Sequence, residues 1–151
     1  MKRKERGFSL IELLIVVAII LIIAAISVPN LLRAKMAANE ASAVGSLRII
    51  NMTTAAFSSA YGNYPTRLSD LGPSNSPSST AADLIDAVLV TGVKTGYRFT
   101  YTATSPYFQY TLTARPTNPG VSGQRYFFTD QTGVIRANTS AAATSSSTAI
   151  S

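Results

Sequence analysis

Glu12 is a carboxylate at the edge of an apolar stretch in which residues 13–32 carry no charge at all. A charged side chain at the centre of a membrane helix costs about 2.5–3.5 kcal/mol on insertion scales, so it needs a partner or a route to the surface. Near the end of its stretch Glu12 can snorkel to the interface or serve a function, and composition alone leaves both readings open. The other glutamate beyond residue 7 is Glu40, which on one helix would lie about 42 Å away, too far for an acid–base pair. Cysteine and histidine are absent. That removes thiol nucleophiles, disulfides, zinc sites built on thiolate or imidazole, and histidine triads. Asp83 and Asp86 invite calcium, but two carboxylates without a ligand-dense loop more often stand solvated. With no phosphate-binding glycine loop either, neither catalysis nor a cofactor nor a metal is expected.

Basic residues are the remaining chemistry. The formal charge is +6, and half of it sits in Lys2, Arg3, Lys4, Glu5 and Arg6. Further on, Lys94, Arg98, Arg115, Arg125 and Arg136 face the single acid Asp130 and are interleaved with aromatics. A nucleic-acid surface can have this composition, and DNA is kept as a partner on that ground. Solvated strand faces and inter-subunit ion pairs have it too, and they are the preferred reading. Phe57, Tyr61 and Tyr64 are read as buried beneath a sheet.

These residues have to be carried by elements. The uncharged run is about 30 Å long as a helix, the thickness of a bilayer core, so residues 8–32 read as a transmembrane helix. The basic residues ahead of it keep the N-terminus cytoplasmic, a bias that Arg33 and Lys35 weaken. A secretory signal peptide opens in the same way but ends at a small-x-small site; here the run continues to Pro29, Leu31 and Leu32, and Ala24 and Ala25 do not decide between the two. Residues 33–61 continue the helix with two apolar stripes at helical spacing on nearly opposite faces. Val44, Leu47, Ile50, Phe57 and Tyr61 form one; Ala38, Ala41, Gly45, Ile49, Met52 and Ala56 form the other. A surface helix needs one such face, so the small-residue stripe suits packing against other copies, unless a second layer of the same chain covers it. Pro29 lacks a backbone donor and Gly45 weakens the helix, so distortion is expected there, above all in an assembled state.

Residues 62–95 read as a connecting loop with a short helix over 81–90, capped by Ser79 or Thr80, with Asp83 in its first turn. From Gly96 the apolar period becomes two. Tyr97, Phe99 and Tyr101, then Phe108, Tyr110 and Leu112, then Tyr126 and Phe128, then Val134 and Ile135 predict a four-stranded antiparallel meander over 96–138, packed on the Val44 stripe. Residues 139–151, nearly all Ala, Ser and Thr, read as a flexible tail. The fold class is α+β.

The stretch from Gly7 to Glu12, GFSLIE, followed by LLIVVAIILIIAAISVPNL, resembles the class III leader and N-terminal helix of type IV pilins and of type II secretion pseudopilins. The resemblance implies the pilin fold, a long N-terminal helix on a C-terminal sheet. It implies a leader, residues 1–7, that a prepilin peptidase removes between Gly7 and Phe8; methylation of the Phe8 amine by the same enzyme; and use of Glu12, with Phe8, in assembly. The implied partners are other copies of the chain, the peptidase, an inner-membrane assembly machinery and, before assembly, the bilayer. Implied locations are the bacterial inner membrane and then an extracellular pilus or periplasmic pseudopilus. A major pilin is the first reading and a major pseudopilin the second. Gly62 to Leu71, GNYPTRLSDL, is similar to the region after the pseudopilin helix, but tryptophan, the turn that contains it, and an acidic calcium loop are missing. The C-terminal disulfide loop of many adhesive pilins is missing as well.

Overall fold

The computed structural model describes residues 7–150. The leader cations Lys2, Arg3, Lys4 and Arg6 lie outside the described residues. The chain divides into two compact units, Met1–Ala34 and Lys35–Ser151, and one helix, α1 (Leu10–Tyr61), contributes to both.

The first unit is the apolar part of α1. Its large side chains are exposed from Phe8 through Leu31, with Leu10 at 76% and Leu31 at 71%. Such a surface has no stable place in water, and the helix is long and apolar enough to cross a membrane. Pro29 sits inside α1 without ending it, although it removes the donor that the Ala25 carbonyl would otherwise use.

In the second unit, the later part of α1 lies on an antiparallel sheet. Ala43, Leu47, Ile50 and Phe57 are buried, while Ile49, Met52, Ala38, Ala41 and Ala56 of the other stripe are exposed. One stripe is therefore the core face, although Val44 is only half-buried and Tyr61, expected beneath the sheet, is 38% exposed at the helix end; the other, apart from half-buried Gly45, is left open to solvent. No layer of the described chain covers it.

Between helix and sheet, Asp70 organises the loop. Its buried carboxylate accepts from the Thr66 amide and hydroxyl and from the Arg67 amide. A 3₁₀ turn at Leu68–Leu71 follows, and the only α-helical turn in this region is α2 (Ala87–Val90). The helix anticipated over 81–90 shrinks to that turn because its early amides are committed elsewhere. Ala82, Asp83, Leu84 and Ile85 donate to carbonyls of Asp70, Leu71 and Gly72, and Asp83 has φ of 55°. The cap is Asp86, whose Oδ1 accepts from the Leu89 amide at 2.6 Å.

Among the described residues six strands follow in sequential order: β1 (Val93–Lys94), β2 (Tyr97–Thr104), β3 (Gln109–Pro116), β4 (Tyr126–Asp130), β5 (Arg136–Asn138) and β6 (Thr148–Ala149). The α+β class and the antiparallel meander stand, with six strands in place of four. On the core side Phe99 pairs with Ala114, which pairs in turn with Phe127. A small residue thus separates two rings, as dense packing requires.

Three details of the expected pattern change. Phe127 and Thr129 face the core from β4, and Tyr126 and Phe128 face outward. Two adjacent phenylalanines fit either phase of a two-residue period, and pairing with Leu112 and Ala114 of β3 selects the phase. Phe108 lies in the turn before β3 and is 64% exposed. The Ala/Ser/Thr segment contains β6, which pairs with β5; the Ile150 amide donates to the Ile135 carbonyl at 2.9 Å, and Ala143 is buried. Main-chain pairing holds this segment, a contribution that side-chain composition does not display.

Candidate assembly site

Gly7, Phe8 and Ser9 precede α1 in non-helical conformation, and Phe8 is 72% exposed. The Ser9 carbonyl accepts from the Leu13 amide at 3.2 Å and closes the first turn. Ser9 and Glu12 stand at the spacing of a capping box, and the Ser9 amide donates to Glu12 Oε2 at 3.4 Å. The carboxylate thus turns toward the helix N-terminus, where the helix dipole favours negative charge. Gly7, Phe8 and Glu12 are gathered within one turn of the start of α1. If the Gly7–Phe8 bond is cut, the new ammonium group forms one residue before the amide that Glu12 already holds.

Pro29 and Gly45 are far from that turn. A Cβ built on Gly45 meets nothing within 4 Å, so the subunit itself has no steric need for glycine at this position.

A second constellation had no sequence signal. Glu40, on α1, is buried at 9% exposure. Its Oε1 accepts from the amides of Gln124 and Arg125 at 2.8 and 3.2 Å, and its Oε2 from Arg125 Nε at 2.7 Å. Burial raises the carboxyl's pKa, but the Gln124 amide and the guanidinium and amide of Arg125 outweigh it and hold the group below its ordinary value. The Arg125 carbonyl accepts from the Tyr97 hydroxyl at 2.9 Å, and the guanidinium lies over the Phe127 ring at 5.3 Å. Gly123 makes room for this arrangement, because a Cβ there would come within 2.8 Å of Tyr97 ring carbons. Partners 85 residues apart give no local pattern to read.

The remaining basic residues separate by partner. Lys94 pairs with Asp86 at 2.9 Å, which ties that carboxylate to a cation and a helix cap, and Arg136 donates to the Ser147 carbonyl at 3.0 Å. Arg98 and Arg115 stand opposite each other on β2 and β3.

A leader-like motif, an uncovered apolar helix and, later in the chain, an antiparallel sheet are features of a pilin-like structural subunit. The description "Prokaryotic N-terminal methylation motif" matches residues 2–28. The chain is 60% identical over 38 residues to the type IV wide pilus major component PilA4 of Thermus thermophilus, a match covering 25% of this chain and 29% of the relative. It is 36% identical over 69 residues to the type IV major pilin protein PilA of Myxococcus xanthus, covering 46% and 31%. It is 32% identical over 72 residues to the type II secretion system core protein G of Dickeya chrysanthemi, covering 48% and 47%. The matches thus span less than half the length of each relative. No solved structure matches. Through the leader motif and these partial matches the chain is similar to type IV pilins and type II secretion pseudopilins.

Proposed function

We propose that the chain is a prepilin, the major subunit of a type IV filament, with no catalytic role of its own. It is held in the inner membrane by residues 8–32 with the leader in the cytoplasm, cut by prepilin peptidase between Gly7 and Phe8, and methylated on the Phe8 amine. An assembly machinery then withdraws it from the bilayer and polymerises it through its helices into a filament used for motility, adhesion or DNA uptake. The observation that carries this reading is the position of Glu12, an acid in the first turn of an uncovered apolar helix, one turn from the nitrogen that cleavage would free.

Before cleavage that nitrogen is an uncharged peptide amide. Afterwards it is a cation close to a carboxylate in surroundings that salt does not screen. An incoming subunit staggered along the filament axis can present its Phe8 ammonium to a neighbour's Glu12, neutralising both and setting the axial register as a buried polar pair does in a coiled coil. The open stripe of Ala38, Ala41, Gly45, Ile49, Met52 and Ala56 supplies the small-residue face on which helices of neighbouring copies approach closely. At Pro29 and Gly45 the helix is proposed to lose regularity on assembly. The test is N-terminal sequencing and mass analysis of filaments sheared from cells, with methylated Phe8 as the expected first residue. A first residue at Ala25 or beyond, or an intact Met1, would overturn the reading.

A major pseudopilin of type II secretion is the second reading. The match to core protein G, 72 residues long and covering 47% of that relative, favours it. Loss of secreted enzymes from the medium on deletion of the gene, without loss of surface filaments, would establish it over the first.

A further inference from the structure

Arg98 and Arg115 are direct cross-strand partners, and both are exposed. Opposed residues of an antiparallel pair share a face, where like charges repel. The other cations of the strand region each have a partner, namely Glu40, Asp86 or the Ser147 carbonyl. Among the described residues no carboxylate lies within ion-pair distance of Arg98 or Arg115. The two line a cleft of about 330 Å³ together with Pro116, Thr117, Pro119 and Tyr126. Tyr126 continues the same outward row, one residue beyond the Ala114 and Phe127 pair. An uncompensated arginine pair, an aromatic ring and a concave wall therefore coincide on a rigid ladder.

We propose that this row is a binding site for single-stranded nucleic acid, with Arg98 and Arg115 on backbone phosphates and Tyr126 beneath a base. Guanidinium forks match phosphate oxygens two at a time. Every base offers a face to an aromatic ring, and an unstacked strand can present one inside a cleft this small. A second copy of the chain is the weaker occupant on charge. Of the five carboxylates in residues 35–150, Glu40, Asp70 and Asp86 are held by cations and Asp130 accepts from Thr132. That leaves Asp83 and Asp130, which keeps its charge, against the five cations of this stretch that have no ion pair, Lys35, Arg48, Arg98, Arg115 and Arg136, so a homopolymer stays positive. Tyr126 favours a strand with planar bases over an acidic polysaccharide.

The experiment uses the full chain in detergent micelles and a fluorescent single-stranded oligothymidylate, with anisotropy followed over rising salt. Arg98→Gln with Arg115→Gln should weaken binding about tenfold or more and flatten the slope of log K against log salt by about 1.4, at roughly 0.7 per phosphate contact. Tyr126→Ala should weaken binding about tenfold and leave the slope unchanged. Arg48→Gln, which removes an exposed cation of α1, should bind as the unmodified chain does. The melting midpoint of the double variant should hold or rise, because repulsion is removed. The proposal is overturned if the chain fails to bind, if Arg48→Gln weakens binding as much as the pair does, if polygalacturonate competes as well as unlabelled oligonucleotide, if duplex binds more tightly than single strand, or if the double variant melts lower. Binding is measured on the unassembled subunit, so failure here leaves the filament reading standing.

Discussion

The carboxylate of Glu40 on α1 grips the backbone and the guanidinium of Arg125 together, at 2.7 Å to Nε and 2.8 Å to the neighbouring Gln124 amide. One acid thereby fixes the segment leading into β4 against the helix. Removing it would leave two amide donors without an acceptor at the helix–sheet contact and the half-exposed guanidinium without its counter-ion. Breaking a buried pair costs about 3–5 kcal/mol, less where a partner is exposed, and the Arg125 side chain is 39% exposed. Glu40→Ala is therefore expected to destabilise the subunit by about 2–3 kcal/mol, and Glu40→Gln by less, since its amide oxygen can still accept from the Gln124 amide. Urea unfolding of both variants with Arg125→Ala and the double variant in a cycle checks this; additive effects would rule out coupling.

The same pair gives a pH dependence. Glu40 has its carboxyl below the ordinary value of 4.5 in the folded chain, so its contribution is complete above that value and is lost as pH falls through the lowered one. Melting midpoints of the unmodified chain should decline from pH 5 downward more steeply than those of Glu40→Gln. Parallel curves for the two would show that Glu40 is not the titrating group. Asp86 is also held low, by Lys94 first, but its side chain is about half exposed to solvent, which screens the pair, and it adds little.

Gly45 separates subunit stability from assembly. A methyl group fits there without contact, and alanine in place of a helical glycine gains about 1 kcal/mol. Gly45→Ala should raise the melting midpoint in detergent yet reduce filament number. Electron microscopy showing normal filaments would mean that assembly does not use the weak point.

Glu12→Ala and Glu12→Gln should leave membrane insertion and cleavage intact and abolish or greatly reduce filaments, because the Phe8 ammonium of each incoming subunit then stays unpaired in an apolar core. The check is filament yield beside the membrane pool of mature subunit, measured by blot. Equal filament yield from Glu12→Ala at an equal pool would falsify the pairing.

What the sequence by itself determined lies within a few residues of its own signal. The Gly7 to Glu12 motif, the uncharged run, the two stripes of α1 and the period-two strands are each legible from neighbouring residues alone, and the buried Leu47, Ile50 and Phe57 and the open Ile49 and Met52 agree with that reading. The tertiary structure alone decided the phase of β4, where Phe127 and Phe128 satisfy either face until β3 is beside them. It decided the order of the Ala/Ser/Thr segment through main-chain bonds to β5, and the length of α2 through amides drawn away to Asp70, Leu71 and Gly72. It also sorted the cations, joining Arg125 to Glu40 across 85 residues and setting Arg98 against Arg115. Pairing between distant segments depends on register and on which donors are already engaged. Those quantities exist only once the chain has closed on itself.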